Sequence, residues 1–156
     1  MMAKSDCPCG SGQRYGDCCR SFHRDEKEAP DAVALMRSRF SAYAVADAEY
    51  LWRTLAAAHE DRRRPESEAL RDIRRSASTH RYRALTILDS RPPDARGVAQ
   101  VLFLARVFLK GRDLSFVERS DFIQDGFGWR YLHGDLKPVS EIAGDPKALR
   151  IDSFLA

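Results

Sequence analysis

Cysteine is absent from the last 137 residues of this 156-residue chain; all four cysteines lie between positions 7 and 19. A disulfide framework spread across the fold is therefore excluded. Long apolar runs are missing as well. No window approaches eighteen uncharged apolar residues, so no membrane-spanning helix is expected. The opening residues, Met1-Met2-Ala3-Lys4-Ser5-Asp6, lack the apolar stretch of a secretory signal, which makes the cytoplasm the default location. Several catalytic signatures are also missing: a P-loop, a nucleophile elbow, a His-Glu-x-x-His pair and a dinucleotide fingerprint. Neither sign of charge dominates, with 26 basic against 23 acidic side chains. What is present, 44% apolar and 31% charged residues, suits one globular domain or one domain with a small appendage.

The small basic excess is local. Residues 31–83 carry eleven basic and eight acidic side chains, while the segments on either side are balanced. All eleven are arginine. Arg71, Arg74 and Arg75 share one face of a helix at i, i+3 and i+4, next to the run Arg62-Arg63-Arg64. Such a stripe can track phosphates, so nucleic-acid binding is possible. Interleaved Glu60, Asp61, Glu66, Glu68 and Asp72 favour a solvated face instead.

The cysteines follow the pattern C-x-C-x₈-C-C. Two disulfides are one reading, but links between Cys7 and Cys9 or Cys18 and Cys19 fit the required geometry poorly. A metal fits better. A tetrahedral Zn²⁺ takes four soft ligands from two close pairs that meet across a turn. Gly10, Gly12 and Gly16 permit that turn, and Pro8 stiffens its first arm. Fe²⁺ suits the same thiolates. His23 is a possible substitute ligand. Four thiolates leave no open coordination position, which argues against catalysis at the metal.

Beyond a charged approach at residues 24–29, helical spacing runs from Asp31 to about Val45, with Pro30 as the first helical residue. A second helix is expected over residues 48–58. Residues 60–64 read as a solvated loop. A third helix opens at Pro65 and runs to about Thr79, with Leu70, Ile73 and Ala77 on its apolar face. Strand patterns follow over 82–88, 98–110, 114–124 and 129–133, separated by turn residues. Beyond Pro138 the tail reads as weak helix or coil. Helices first and an antiparallel meander afterwards predict an α+β fold with helices on one face of a sheet. The expected organisation is a metal knuckle over 1–24, an α+β domain over 30–136 and a tail over 137–156.

Cys7-Pro8-Cys9-Gly10-Ser11-Gly12, Tyr15 and Cys18-Cys19 resemble the SEC-C motif, best known from the C-terminal tail of the preprotein translocase ATPase, SecA. The resemblance implies that Cys7, Cys9, Cys18 and Cys19 ligate Zn²⁺ and that the knuckle docks a protein or ribosomal partner. Over residues 7 to about 134 the chain is similar to the YchJ family of bacterial proteins. The segments Leu35–Tyr43, Tyr50-Leu51, Phe116–Phe122 and Trp129-Arg130-Tyr131 carry that likeness. It departs in two respects: many relatives have a second cysteine cluster near the C-terminus, and His80-Arg81-Tyr82-Arg83-Ala84 stands where a Trp-Leu-containing strand start is expected. The likeness implies a cystatin-like, nuclear transport factor 2-like cone, a curved antiparallel sheet wrapped by helices.

Such cones often enclose a pocket. Candidate pocket groups are Arg37, Tyr43, Tyr50, Arg106, Glu118 and Trp129, with His59, His80 and His133 as further polar residues. Arg37, Arg39 or Arg106 is a candidate ion-pair partner for Glu118. No catalytic pair stands out. The leading expectation is a zinc-binding adaptor that is not an enzyme; the rival is a small-molecule binder or enzyme that uses the cone.

Overall fold

The computed structural model describes residues 6–154. It contains four α-helices, α1 (Cys19–His23), α2 (Ala32–Ala44), α3 (Ala48–Arg53) and α4 (Glu66–Thr79), followed by five strands. These are β1 (Arg81–Arg91), β2 (Ala99–Leu109), β3 (Arg112–Asp113), β4 (Phe116–Gln124) and β5 (Trp129–Pro138). The sheet order is β1-β2-β4-β5, antiparallel throughout, with β3 folded back on the end of β2. Helices therefore precede the meander, as the pattern predicts. Among the described residues no helix is long and apolar enough to cross a membrane.

Strand β2 is the centre of the molecule. Its alternating residues Ala99, Val101, Phe103, Ala105 and Val107 meet Leu35, Met36 and Phe40 of α2 in the main core. Its opposite residues Leu102 and Leu104 meet Val117, Ile151 and Phe154. The tail is thus packed against the second face of the sheet rather than loose. Asp89 accepts a hydrogen bond from the Ile151 amide at 2.9 Å, and Arg91 pairs with Asp152.

Helix boundaries differ from the spacing-based expectations for identifiable reasons. Pro30 precedes α2 instead of opening it. Asp31 is the cap, its carboxylate accepting from the Ala34 amide at 2.8 Å. Helix α3 ends at Arg53, five residues early. The Tyr131 amide donates to the Thr54 carbonyl at 2.8 Å, and the Ala56 amide donates to the Tyr131 carbonyl at 2.8 Å. Residues 54–56 are pulled straight because the edge of β5 needs backbone partners. In α4 the fully buried position is Ala69, while Leu70, Ile73 and Ala77 are half-buried. Residues 60–63 form a helical turn capped by His59, not a solvated loop. Arg62 stacks 4.6 Å over Trp52 and donates to the Leu55 carbonyl at 3.0 Å. Strand β5 runs five residues past His133, through Gly134 to Pro138.

The knuckle is seated on the cone through His23. Its Nε2 donates to the Ser38 carbonyl at 2.8 Å, which leaves Nδ1 to accept from the Tyr15 hydroxyl at 2.7 Å. Burial lowers the His23 pKa from its ordinary value, which favours the neutral ring of this arrangement.

Two predictions follow from this packing. Asp31→Ala should cost about 1 kcal/mol and Phe154→Ala about 3–5 kcal/mol in urea unfolding. Because His23 is depressed in the fold, the unfolded chain takes up its proton first. Its contribution should be complete above about pH 6.5 and decline as pH falls through the lower folded value; His23→Gln should flatten that part of the stability profile, measured by urea midpoints.

Candidate metal centre and cone pocket

The knuckle brings four sulfurs to one point. The Sγ atoms of Cys7, Cys9, Cys18 and Cys19 all lie within 4.8 Å of one another. Cys9 and Cys18 are 3.6 Å apart, Cys18 and Cys19 3.9 Å. Thiolates about 2.3 Å from Zn²⁺ at the corners of a tetrahedron stand about 3.8 Å apart, so the cage has the size of an ion. All four are free thiols.

Local structure explains the cage. The Gly10 amide donates to the Cys7 carbonyl at 3.2 Å, and the Cys7 amide to the Gln13 carbonyl at 2.8 Å. Gly10 and Gly12 both have left-handed φ, and Gly10 also approaches the Leu85 carbonyl too closely for a relaxed side chain. Cys19 enters from the first turn of α1. Around the sulfurs, Ser11 Oγ lies 3.2 Å from Cys18 Sγ, and Arg37 donates to the Cys9 carbonyl at 2.9 Å. His23 has both ring nitrogens engaged and is not a ligand.

The thiols also act strongly on one another. A hydrogen bond from Cys19 holds Cys9 far below the usual thiol range. The bond with Cys7, then that with Cys9 and burial, drive Cys19 far above it. For Cys7 the Cys19 bond lowers the pKa, but the Cys9 bond and burial outweigh it and push it up to about 11. Sulfurs this close share protons unless a metal replaces them, so the four can hold one metal ion.

The cone encloses a cavity of about 300 Å³ between α2, α4 and the sheet. Its polar groups are Arg39, Tyr43, Ser76, His80, Tyr82, Glu118 and Tyr131. Glu118 Oε2 accepts from Tyr131 Oη at 2.9 Å and from Ser120 Oγ at 2.5 Å. Arg39 is buried, its guanidinium 4.8 Å over the Tyr131 ring; Nη1 donates to the Leu51 carbonyl at 2.9 Å and to Thr54 Oγ1 at 2.6 Å. Burial, reinforced by the Glu118 charge, pushes the Tyr131 phenol well above its ordinary range. Burial also raises Tyr43. Both phenols therefore remain protonated donors at neutral pH.

Of the six sequence candidates, Tyr43 and Glu118 line this pocket. Arg37 turns to the knuckle. Tyr50 lies away from the cavity, its hydroxyl bonded to Ser38 at 2.6 Å and its ring 4.7 Å from His23. Arg106 falls on the sheet face opposite Ala105 and Val107. Trp129 lines a separate groove with Asp31 and Pro93. Neither Arg37, Arg39 nor Arg106 forms an ion pair with Glu118 among the described residues. His133 pairs with Asp135 at 3.2 Å, and His59 caps its own turn. Tyr131, which lines the pocket, and Gly134, which lies against its polar pair, were not among the pocket candidates. A Cβ at Gly134 would collide with both the Glu118 carboxylate and the Tyr131 hydroxyl. A glycine inside a strand is the signal that marks such a close approach.

The arginine face is partly neutralised. Arg74 pairs with Glu49 at 2.6 Å and Arg64 with Asp72, while Arg71 lies 4.0 Å from Asp72.

Titration of the metal-free chain should show uptake of one Zn²⁺ per molecule with release of protons, and weaker uptake as pH falls. Cys18→Ser should abolish stoichiometric uptake; Ser11→Ala, which removes a neighbour of the sulfur and the acceptor of the Gln13 amide, should weaken it about tenfold.

A family model described as the YchJ middle NTF2-like domain matches residues 31–134, and the SEC-C motif matches residues 5–21. A UPF0225 protein of Deinococcus radiodurans is 60% identical over 48 residues, which are 31% of this chain and 37% of that protein. The solution structure of a SEC-C motif containing protein from Rhodopseudomonas palustris is similar, with a TM-score of 0.69 and 30% identity; the match covers 83% of this chain and 96% of that one. The crystal structure of a SEC-C motif containing protein from Psychrobacter arcticus shares the fold, with a TM-score of 0.68 at 22% identity, over 89% of this chain and 84% of that one. With a four-cysteine cage beside a helix-wrapped antiparallel sheet, and a domain match over two-thirds of its length, this chain belongs to the YchJ-like family.

Proposed function

We propose that this protein binds a small organic molecule in its cone, and that the knuckle holds a structural Zn²⁺ that supports the cone. The observation that carries this reading is the Glu118 carboxylate, placed in a largely apolar cavity without a cation partner among the described residues. It is held there by two neutral donors, and Gly134 leaves the space they need. Retaining a carboxylate in such a place costs stability, which marks it as a functional-site candidate. Zn²⁺ is the metal best suited to four thiolates in a closed tetrahedral shell. When bound, it supplies a rigid cross-link between two short segments; the four cysteines hold it, and Arg37 and His23 connect their loops to α2.

Docking of a protein or ribosomal partner through the knuckle is the second reading. It is favoured by residues 10–14, a continuous exposed stretch around the metal cage. Co-sedimentation with purified ribosomes, with and without a chelator, tests it: binding that survives loss of the metal would remove the knuckle from the interface. Nucleic-acid binding through Arg71, Arg74 and Arg75 is disfavoured by the pairing of Arg74 and the acidic neighbours of Arg71.

Gly134→Ala tests the leading reading. It should separate Tyr131 from Glu118 and abolish ligand binding while leaving one metal per chain. A thermal-shift screen of small metabolites on both forms reads the effect. A ligand that stabilises both forms equally would place binding outside the cone.

A further inference from the structure

The pocket also carries information about the charge and shape of what it takes. Its floor holds two opposite charges. The Arg39 guanidinium lies against the face of Tyr131, and Glu118 is bonded to the hydroxyl of the same ring. Tyr131 stands between them, so they balance each other without forming a direct ion pair. A ligand with a net charge would meet an unlike charge and a like charge together, while losing its own hydration; a neutral one meets no such conflict.

The walls are aromatic. Tyr43 and Tyr82 stack 5.2 Å apart at 27°, and Phe40 meets Tyr82 edge-on at 6.0 Å. Phe103 meets Phe116 edge-on at 6.1 Å. Such surfaces favour planar rings. The cavity of about 300 Å³ is at the small end of ligand sites, room for one or two fused rings.

Several polar groups of the cavity keep hydrogen-bonding capacity for a ligand, Glu118 and Tyr43 among them. Both hydrogen bonds to Glu118 arrive at Oε2, which leaves Oε1 as an acceptor. The Tyr43 hydroxyl has no protein partner among the described residues and is not sealed from the cavity. Its raised pKa makes it a donor at neutral pH. Resting on the ligand-binding reading above, we propose that the pocket takes an uncharged, planar cyclic compound of the lactam or phenolic-carbonyl type. Its carbonyl accepts from Tyr43, and its N–H or O–H donates to Glu118.

Three probes of similar size and different charge test this on the full chain by NMR titration at pH 7: carbostyril, a neutral fused-ring lactam, naphthoate, an anion, and naphthylmethylammonium, a cation. Carbostyril should bind about tenfold tighter than either ion. Tyr43→Phe and Glu118→Gln should each weaken it by about tenfold. Tighter binding of either ion would overturn the charge assignment but leave the cone a binding site. Binding of none of the three would overturn the ligand-binding reading and this inference with it. Carbostyril binding that ignores both substitutions would overturn the assigned contacts; Tyr43→Phe changes only a hydroxyl, so it keeps that arm readable if Glu118→Gln fails to fold.

Discussion

Three consecutive residues of α2 tie the parts of this molecule together. Arg37 reaches the carbonyl of a metal-loop cysteine. Ser38 accepts at its carbonyl from His23 and at its hydroxyl from Tyr50. Arg39 turns into the cone and lies over Tyr131. A helix advances about 100° per residue, so neighbours in sequence address different surroundings. The helix is held in place by apolar contact of Leu35, Met36 and Phe40 with the sheet, and this contact sets the direction of all three polar arms. Any rotation of α2 would disturb the knuckle seam and the pocket floor together.

The cone differs from a filled core in how its polar groups are arranged. The Arg39 and Glu118 charges are each solvated by neutral groups of the protein instead of by each other. A direct ion pair would have used up both of them. Held apart by the Tyr131 ring, they leave hydrogen-bonding capacity in the cavity. The arrangement depends on something missing, the side chain that any residue other than glycine would place at position 134.

How much of this was legible in the sequence depends on distance along the chain. The metal cage was legible because its ligands lie within thirteen residues and obey local geometry. The order of helices and strands was legible from periodicity. The end of α3 was not, because Thr54 and Ala56 answer to the backbone of Tyr131, more than seventy residues away. Arg37 and Arg39 looked equivalent as pocket cations, although two residues on a helix point in nearly opposite directions; which one faces the cone follows from the packing of α2. Arg106 was misplaced despite a usable signal, since strict alternation with Ala105 and Val107 already puts it on the other face. Tyr131 was named only for the family likeness, and Gly134 escaped notice because the strand was expected to stop at His133, one residue short of the position that serves as clearance.

The burial of Ile151 and Phe154 on the second face of the sheet has a consequence for how the chain matures. Strand β2 is apolar on both sides, and its helix-side partners in α2 are synthesised before it. The residues that cover its other side emerge from the ribosome some forty positions after it ends. For that interval the nascent sheet exposes Leu102, Leu104 and Val117. Such a surface is prone to premature association, so Ile151 and Phe154 act as a late seal on an otherwise assembled domain.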